Sequence, residues 1–570
     1  MYTFDVSSGT RALNTQIQYY SGAIGGTPAL ALQNTYQDIY GNVLVPGSCC
    51  TTISDNFVHV KNRTAAVPVP GGSLVSQTAY TYDSFTSTTV NSGQSILQSR
   101  GKLLTQTEYG FGLGSPGPLV RQTLYSYLDD SNPNYHSVVN GSRYSIVNRP
   151  IDIQISDAAG NVKAETKTTY DSTALATVSG IQNHDDTNFG AGNTIRGNPT
   201  QVQKLVTGST FITTSTASYD TTGQITSVQD GNGNVTSFSY ADNFFNEGNS
   251  VQNPPPSFTP PNPTNAYLTQ VTLPIIGAAR YGYYYGTGKQ ASSVDQNGAD
   301  SYSHYLDPND RPTHTFGPIT NGNRAWALTT YSGATQIDSY TAISDTAAST
   351  NCVSCTHTRQ NSDAFGRTIL STLVNDPDGA TMTATTYDSS GRTRTVSNPY
   401  RSTSDSTYGL TTMSFDNLGR STVVTEADNS AIKLYYGTDV TTAGGLSAQL
   451  CSPATYGYGY PALGVDEAGK KKQTWADAFG RTIEVDEPDP TGTLSLATCY
   501  TYDTLDNLTK VEQKGGSTDP TQWRTRTFAI EIAVGVVRIG GGAGLGIGGA
   551  GKMRERVIGK RASTPLCGIG

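Results

Sequence analysis

The sequence predicts an all-β protein made of repetitive antiparallel hairpins that join into one long sheet, and three observations support this fold class. The 570 residues include 34 Tyr and 61 Gly but only 4 Met, and aromatic residues favour strands whereas Gly favours tight turns. Segments such as ITSV (225–228) and VTSFSY (235–240) alternate large apolar with small polar residues, which is the period of a strand. The heptapeptide DAFGRTI occurs at 363–369 and again at 477–483, which indicates an internal repeat.

The duplicated heptapeptide belongs to a longer series of related units. Each unit has an aromatic residue followed by Asp, a short turn that usually contains Gly, and in several cases an Arg directly after the Gly; Ser362 and Ala476 replace the aromatic residue in the two copies of DAFGRTI. The fullest unit spans 219–240, and DGNG (230–233) between its strands is a strong hairpin-turn sequence. The residues of this repeat signature are Tyr219, Asp220, Gly223, Asp363, Gly366, Arg367, Tyr387, Asp388, Gly391, Arg392, Phe415, Asp416, Gly419, Arg420, Asp477, Gly480, Arg481, Tyr502 and Asp503.

Each residue type of the signature has a structural explanation. Asp can bond the backbone two residues further on, and Gly takes the left-handed conformation in a tight turn. The Arg stem can cover a neighbouring aromatic ring while its head pairs with a charge. Tyr at a strand end combines a large apolar area with a polar tip. We therefore interpret DAFGRTI as a duplicated piece of scaffold rather than as a duplicated active site.

The series resembles the YD-repeat, or RHS-repeat, family of bacterial proteins, whose unit runs roughly Y-D-x-x-G-R, strand, D-x-x-G, strand, Y. Recognisable units lie between about 213 and 511, and weaker relatives at 78–87 and 166–175 extend the likeness upstream to about 70. The resemblance implies a continuous, spiralling β-sheet. In insect-active toxin complexes, bacterial polymorphic toxins and the animal teneurins this sheet forms a shell, which in the better-known relatives encloses a C-terminal toxic polypeptide.

The chain divides into four parts on this pattern. Residues 1–70 are strand-rich with an uncertain register, 71–212 contain degenerate YD-like repeats, and 213–528 form the repeat region. Within that region NPPPSFTPPNPTN (253–265) predicts a proline-rich linker or long surface loop, which cannot join a sheet interior. The Gly-rich basic tail, 529–570, suits either a frameshifted continuation of the repeats or a genuine terminus, and we expect it to be disordered or aberrant.

Composition and motifs argue against nucleic-acid binding, catalysis and metal binding. The net charge is −8 and no run of more than three Lys or Arg precedes the tail, so the chain is unsuited to phosphate backbones. Gly544, Gly546 and Gly549 match GxGxxG by chance, because Met553 stands where a P-loop needs Ser or Thr. The sequence DGNGN (230–234) lacks the later Gly and Glu of a calcium loop. We expect no catalytic residue, no cofactor and no metal site.

Two groups of cysteines leave alternatives open. Cys352 and Cys355 form a CxxC sequence that suits a zinc site, a local disulfide in an exported loop, or two plain thiols. A zinc site needs a second ligand pair, and Cys451 and Cys499 each stand alone in the sequence. Plain thiols are the favoured interpretation of the CxxC pair.

The sequence departs from cargo-bearing relatives in one respect. Those relatives have a DPxG-type aspartyl autoprotease motif after the repeats, and often an RYYDP-like sequence before it. DPDG (376–379) has the right letters but stands where the second turn of a repeat belongs, and ATMTATTY follows it as a strand. We therefore interpret it as a turn and expect the cleavage site and any cargo to be absent from this chain.

These observations predict a structural role. The chain resembles a fragment of the β-shell of an exported RHS/YD-repeat protein, enclosing or displaying a polypeptide cargo such as a C-terminal toxin. Its expected partner is the rest of the parent polypeptide or that cargo. The alternative is a cell-surface carbohydrate-binding or adhesion module that uses exposed Tyr. By resemblance the protein is secreted or on the cell surface, although its start lacks a signal-peptide pattern and no apolar run is long enough to span a membrane.

Overall fold

A computed structural model of the chain describes the backbone of most residues. The described ranges are 2–5, 13–20, 26–37, 43–44, 58–88, 95–98, 100–136, 138–139, 142–143, 145–248, 251–344, 347–351, 354–515, 517 and 522–528. All of them belong to one compact unit. The interpretations made for the tail, 529–570, lie outside the described residues.

The first part of the described chain contains sixteen strands and three short helices. The helices are α1 (Leu128–Ser131), a 3₁₀ helix (Pro133–His136) and α2 (Asp186–Phe189). The strands are β1 Tyr2–Asp5, β2 Leu13–Tyr19, β3 Leu30–Gln37, β4 Val43–Leu44, β5 His59–Val69, β6 Gly72–Tyr82, β7 Phe85–Thr88, β8 Ser95–Gln98, β9 Leu103–Leu113, β10 Leu119–Tyr127, β11 Val138–Val139, β12 Ser142–Arg143, β13 Pro150–Ser156, β14 Val162–Tyr170, β15 Pro199–Thr207 and β16 Thr210–Tyr219.

The second part continues the same pattern, with a 3₁₀ helix (Gly437–Ala443) and α3 (Pro453–Tyr456) as its helices. The strands are β17 Ile225–Asp230, β18 Val235–Ser239, β19 Phe244–Phe245, β20 Ser257–Phe258, β21 Gln270–Leu273, β22 Gly277–Tyr284, β23 Gln290–Val294, β24 Asp300–His304, β25 His314–Thr320, β26 Asn323–Ser332, β27 Gln336–Ser344, β28 Thr356–Ser362, β29 Thr368–Leu373, β30 Thr381–Tyr387, β31 Thr393–Ser397, β32 Leu410–Phe415, β33 Ser421–Thr425, β34 Ala431–Tyr436, β35 Tyr460–Val465, β36 Lys471–Ala476, β37 Thr482–Pro488, β38 Leu494–Tyr502, β39 Leu508–Gln513 and β40 Arg524–Thr527.

The strands pair almost entirely in chain order, which confirms the predicted all-β fold of repeated antiparallel hairpins. Of the 40 strands in the described ranges, 36 belong to one sheet, while β7–β8 and β11–β12 are separate hairpins. The parallel pairing in this sheet joins the two-residue strand β19 to β22. The sheet is open, because β1 pairs with β2 and β40 with β39 on one side alone among the described strands.

Antiparallel order places alternate turns at opposite ends of the strands, so the sheet has two rims. We call the rim that carries the turns after Tyr219, Tyr387, Phe415 and Tyr502 the YD rim. The opposite rim carries the intervening turns, such as Asp230–Gly233 between β17 and β18. The predicted turn at 376–379 lies on the opposite rim, where the Gly379 amide donates to the Asp376 carbonyl oxygen (3.0 Å).

The two rims meet, because the sheet forms a spiral. On β10, Arg121 donates through Nη1 to Asp506 Oδ2 (2.8 Å), and 385 residues separate the two. The Asn417 side chain donates to the Tyr20 carbonyl oxygen across 397 residues. Pro68 also lies against the backbone at Gly437. In each contact the opposite rim of an early strand touches the YD rim of a late one, so one turn of the spiral takes slightly under 400 residues.

The sheet buries little apolar surface. Among the described residues 22 hydrophobic side chains are buried, and they are spread along the sheet. The buried clusters are small: one contains Phe316, Trp326 and Leu328, and another contains Val440, Leu463 and Leu494. The strands are instead held by backbone pairing and by contacts between neighbouring strands.

The proline-rich segment 253–265 is anchored more firmly than a linker. The Thr264 side chain donates to Asp242 Oδ1 (2.6 Å), and the Pro263 carbonyl oxygen accepts from Gln182 (2.9 Å). Residues 257–258 form β20, which pairs with β19. The segment thus lies at the periphery of the sheet, and its two-residue strand joins the sheet network outside the long strands.

We expect Arg121→Ala to loosen the contact between the two spiral layers. The Arg121 guanidinium bonds both Glu108 and Asp506 (2.6 and 2.8 Å), and loss of charge-assisted bonds costs about 1–3 kcal/mol. Amide hydrogen exchange in the turn 503–506 should accelerate, and the thermal midpoint should fall. Arg280→Ala is the matched control, because Arg280 Nε donates to the neutral side chain of Gln270 (3.1 Å). Equal exchange in both variants would contradict the spiral contact.

Candidate functional site

The repeat turns are closed by the same hydrogen bonds in each unit. In the first DAFGRTI copy the Asp363 amide donates to the Arg367 carbonyl oxygen (2.9 Å), and the Gly366 amide donates to the Asp363 carbonyl oxygen (3.0 Å). Gly366 has φ +78°, the left-handed conformation that closes a three-residue hairpin with a bulge. The second copy has the same two bonds at Asp477 and Gly480, with the same φ.

The Asp side chain fixes the turn from inside. Asp363 Oδ1 accepts from the amides of Phe365 and Arg367 (2.9 and 3.0 Å), while Oδ2 accepts from Arg367 Nε (2.8 Å). The hydrogen bond from the Arg367 side chain, with those from the two amides, lowers the pKa of Asp363. The pair of amide bonds to Oδ1 recurs at Asp220, Asp388, Asp416, Asp477 and Asp503.

The turns that contain an Arg are connected to the next unit through it. The Arg367 guanidinium carbon lies 4.5 Å from the centroid of the Tyr387 ring, and the Tyr387 hydroxyl donates back to the carbonyl oxygen of Thr368 (2.7 Å). The next aromatic residue therefore clamps the strand that follows the previous turn. The same arrangement joins Arg420, Tyr436 and Ser421, and joins Arg481, Tyr502 and Thr482.

Three signature positions depart from this arrangement. The Tyr219 unit has Gln224 where others have Arg, and the Tyr219 hydroxyl donates to Pro199 (3.1 Å). Phe415 lies under Arg392 (4.7 Å) but has no hydroxyl. In the Tyr502 unit, Asp506 takes the Gly position with φ +67°. Asn507 replaces Arg there and donates to Asp503 Oδ2 (3.0 Å).

The structure corrects the interpretation of the cysteines. Cys451 and Cys499, which stand alone in the sequence, form a disulfide across 48 residues, and both are fully buried. Cys355 is also disulfide-bonded, so it is not a plain thiol, while Cys352 lies outside the described residues. Sequence spacing could not reveal the first bridge, because the two residues come from different structural elements.

Sequence reasoning also missed a buried polar cluster beneath residues 444–459, which we call the strap. Glu484 and Asp486 lie on one face of β37 and are both fully buried. Glu484 Oε1 accepts from the Leu450 amide of the strap (2.6 Å), and Asp486 Oδ2 accepts from Trp475 Nε1 (2.7 Å). Burial, and then the adjacent Asp486 carboxyl, raise the pKa of Glu484 to about 8.

Further bonds hold the strap on the sheet. Gln473, fully buried, accepts from the Leu446 amide (2.7 Å) and donates to the Leu446 carbonyl oxygen (3.0 Å). Lys514 Nζ donates to the Leu450 carbonyl oxygen (3.0 Å), and Tyr456 bonds Glu512. The alternation in IEVDEP predicts two distinct faces of β37, but burial of the acidic face depends on the covering strap, which the sequence does not reveal.

Within the described ranges the chain offers no grouped set of metal ligands. No three His, Cys, Asp or Glu side chains in the described part are grouped to hold a metal ion. None of the helices among those residues is long and apolar enough to cross a membrane. The signature residues that the sequence singled out are brought together as turns and clamps along the sheet.

Comparison with known proteins gives a weak structural similarity. No protein-family model and no curated protein matches the chain. The crystal structure of TcdB2-TccC3-Cdc42 is similar with a TM-score of 0.29 and 10% identity, over 79% of this chain and 24% of that chain. The Photorhabdus luminescens Tc holotoxin pore gives a TM-score of 0.28 at 10% identity, over 88% of this chain and 27% of that one.

A third structure, TcdB2-TccC3 without its hypervariable C-terminal region, gives a TM-score of 0.25 at 11% identity, over 87% of this chain and 27% of that chain. This chain therefore spans about a quarter of the length of the structures it is similar to. TM-scores below 0.5 do not establish a common overall architecture. The fold assignment accordingly depends on the strand pairing described above.

Two substitutions, one that removes a hydroxyl group and one that adds it, should test the hydrogen bond between neighbouring units. Tyr387→Phe removes the hydroxyl that bonds the Thr368 carbonyl oxygen, so we expect a loss of about 0.5–1.5 kcal/mol. Phe415→Tyr adds a hydroxyl at the position that natively lacks one, and we expect it to bond the Thr393 carbonyl oxygen and to stabilise by a similar amount. Denaturant unfolding measures both. A neutral result for both variants would show that the hydroxyl bond adds nothing.

The buried carboxylates should make stability depend on pH. In the folded chain burial and the adjacent Asp486 carboxyl raise the pKa of Glu484 from 4.5, the value expected in the unfolded chain, to about 8. The folded state thus binds more protons between these values, and stability falls as the pH rises through the window. Relative to Glu484→Gln, we expect the wild-type thermal midpoint to decrease from pH 5 to 8 and then to level off.

The control for this pH profile is Glu487→Gln, because Glu487 lies on the same strand but is exposed. Its profile should parallel that of the wild type. If Glu484→Gln also runs parallel to the wild type over pH 5–8, Glu484 is ionised in the folded chain at neutral pH, which contradicts the raised pKa of this group.

Proposed function

We propose that this chain is a wall segment of an exported RHS/YD-repeat protein, and that the wall encloses or displays another polypeptide. The observation that carries the proposal is a single spiral sheet whose late YD rim docks on the opposite rim of its early strands. Such a seam joins successive layers into a continuous surface. With few buried hydrophobic side chains in the described part, the sheet has the character of a wall rather than of a packed domain.

The signature residues support a structural role rather than chemistry. Each turn Asp already accepts backbone amides, and each Arg of the series already pairs with that Asp, as Arg392 does with Asp388 (2.7 Å). A carboxylate held in this way has little freedom to act as an acid or base. We therefore propose that the chain acts by enclosure and not as an enzyme, with the rest of its parent polypeptide or a cargo segment as partner.

An extracellular location agrees with the disulfides. The Cys451–Cys499 bridge joins the strap to β38, and Cys355 is bridged as well. Disulfides persist in oxidising compartments and are rare in the cytosol. We therefore propose that the folded protein works outside the cell or at its surface.

The carbohydrate-binding alternative would need free aromatic faces. In the repeat units the rings of Tyr387, Tyr436 and Tyr502 lie under Arg guanidinium groups, and their hydroxyls bond backbone carbonyls. These contacts favour the wall over sugar stacking. Glycan-array binding that disappears when the exposed Tyr267 and Tyr285 are changed to Ala would instead support the alternative.

Enclosure can be tested by protease protection. A protease-sensitive passenger polypeptide is fused after Phe528 in place of the tail, and its digestion is compared with that of the same passenger alone. The proposal expects slower digestion in the fusion. Arg121→Ala should reduce the protection by opening the seam, whereas the control Arg280→Ala should retain it. If the fused passenger is digested as fast as the passenger alone, the proposal that the chain encloses a polypeptide is wrong.

A further inference from the structure

The middle strands expose a row of large apolar side chains on the opposite rim. Ile275 and Ile276 lie in the turn between β21 and β22 and are 86% and 61% exposed. Ile319 near the end of β25 and Ile343 near the end of β27 are 61% and 72% exposed. Each is a large apolar side chain left in water on the same rim, the kind of residue that binding to another protein would bury.

One of these isoleucines, Ile343, lines a surface depression, and Ile319 lies at the same rim on the opposite face of the sheet. In the strand register Ile319 pairs with Arg324 and Ile343 with Ala325, so both lie beside β26 at the same rim. Gly317, Ala325 and Ile343 line a shallow depression of about 630 Å³. The small residues Gly317 and Ala325 beside Ile343 leave room for a side chain from outside the sheet.

The chain itself shows what covers this rim elsewhere. At the early strands the opposite rim is met by the YD rim of the late strands. There Phe479, from the second DAFGRTI copy, lies 4.9 Å beneath the Arg121 guanidinium, and Asp506 bonds the same Arg. Contact between a YD rim and an opposite rim is therefore an interface that this sheet already forms.

The first DAFGRTI copy presents the same ring without a cover. Phe365 is 84% exposed, although its turn has the same hydrogen bonds as the turn of Phe479. Phe365 lies on the YD rim of the middle strands. Within the described residues, one chain thus carries two solvent-exposed rims of the types that meet in its own seam.

The charged side chains at the two exposed rims do not oppose docking of one rim on the other. At the YD rim Arg367 is neutralised by Asp363 (2.6 Å), and at the opposite rim Arg324 is neutralised by Asp300 (3.1 Å). Because these charges are paired within each rim, docking would bury apolar side chains without leaving these charges unpaired.

We propose that a second copy of this chain docks head to tail on the first, with its YD rim around Phe365 seated on the opposite rim around Ile275, Ile276, Ile319 and Ile343. The two surfaces are different, so the contact is heterologous. Each bound copy still exposes one free rim, to which a further copy can bind. This assembly goes beyond the proposed enclosure of a polypeptide and does not depend on it.

Sedimentation velocity with complementary variants tests the proposal on the full chain. The wild type should form species larger than dimers as its concentration rises to about 50 µM, where micromolar contacts are populated. The double variant Ile319→Asp, Ile343→Asp and the single variant Phe365→Asp should each weaken association at least tenfold. An equimolar mixture of the two should form 1:1 dimers and nothing larger, because it contains one intact rim of each type.

Leu124→Asp is the matched control, because it adds the same charge at an exposed residue in the middle of β10. It should associate like the wild type, and circular dichroism should show every variant folded. A wild type that stays monomeric at 50 µM would overturn the proposal. Association of both rim variants at the wild-type strength would overturn it as well, and would assign assembly to the open strands β1 and β40. If the equimolar mixture of the two rim variants forms no dimers, the proposed pairing of the YD rim with the opposite rim is wrong.

Discussion

The structure depends on one carboxylate, that of the Asp which opens each repeat turn. It accepts two backbone amides within its own turn, as Asp363 does from Phe365 and Arg367. Those bonds hold the only conformation in which the following Gly closes the hairpin. The turn fixes the register of the two strands that it joins, and the next strand along the sheet then pairs with a strand whose position is already set. The Arg guanidinium then stacks on the aromatic ring of the next unit. Neighbouring units are therefore connected by side chains as well as by backbone hydrogen bonds.

A sheet held in this way does not need a central core. Its buried clusters are local, and beneath the strap three fully buried polar side chains, Gln473, Glu484 and Asp486, lie beside a small apolar cluster. Burying two carboxylates costs stability unless a proton and hydrogen bonds compensate. The strap supplies the bonds and the Cys451–Cys499 bridge fixes it in place. The spiral is then completed where the two rims meet, at Arg121 and Asp506.

The sequence predicted the features that are local. The turn at Asp363, the left-handed Gly366 and the stacking of Arg367 all follow from neighbouring residues and from the repetition of DAFGRTI. It could not predict contacts made across the spiral or under the strap, because these depend on how many strands complete one turn. Arg121 and Cys451 look unremarkable in the sequence, and their partners lie 385 and 48 residues away.

The most direct test of the spiral wall is the distance across its seam. Spin labels carried by noncanonical amino acids at Ser115 and Thr504 would lie on the two rims that meet beside Arg121, and pulsed electron paramagnetic resonance measures their separation. The spiral predicts one short, narrow distance distribution. In an unrolled sheet the same strands would be roughly 100 Å apart, given the spacing of about 4.8 Å between strands. A distance beyond the measurable range would contradict the spiral and the wall with it.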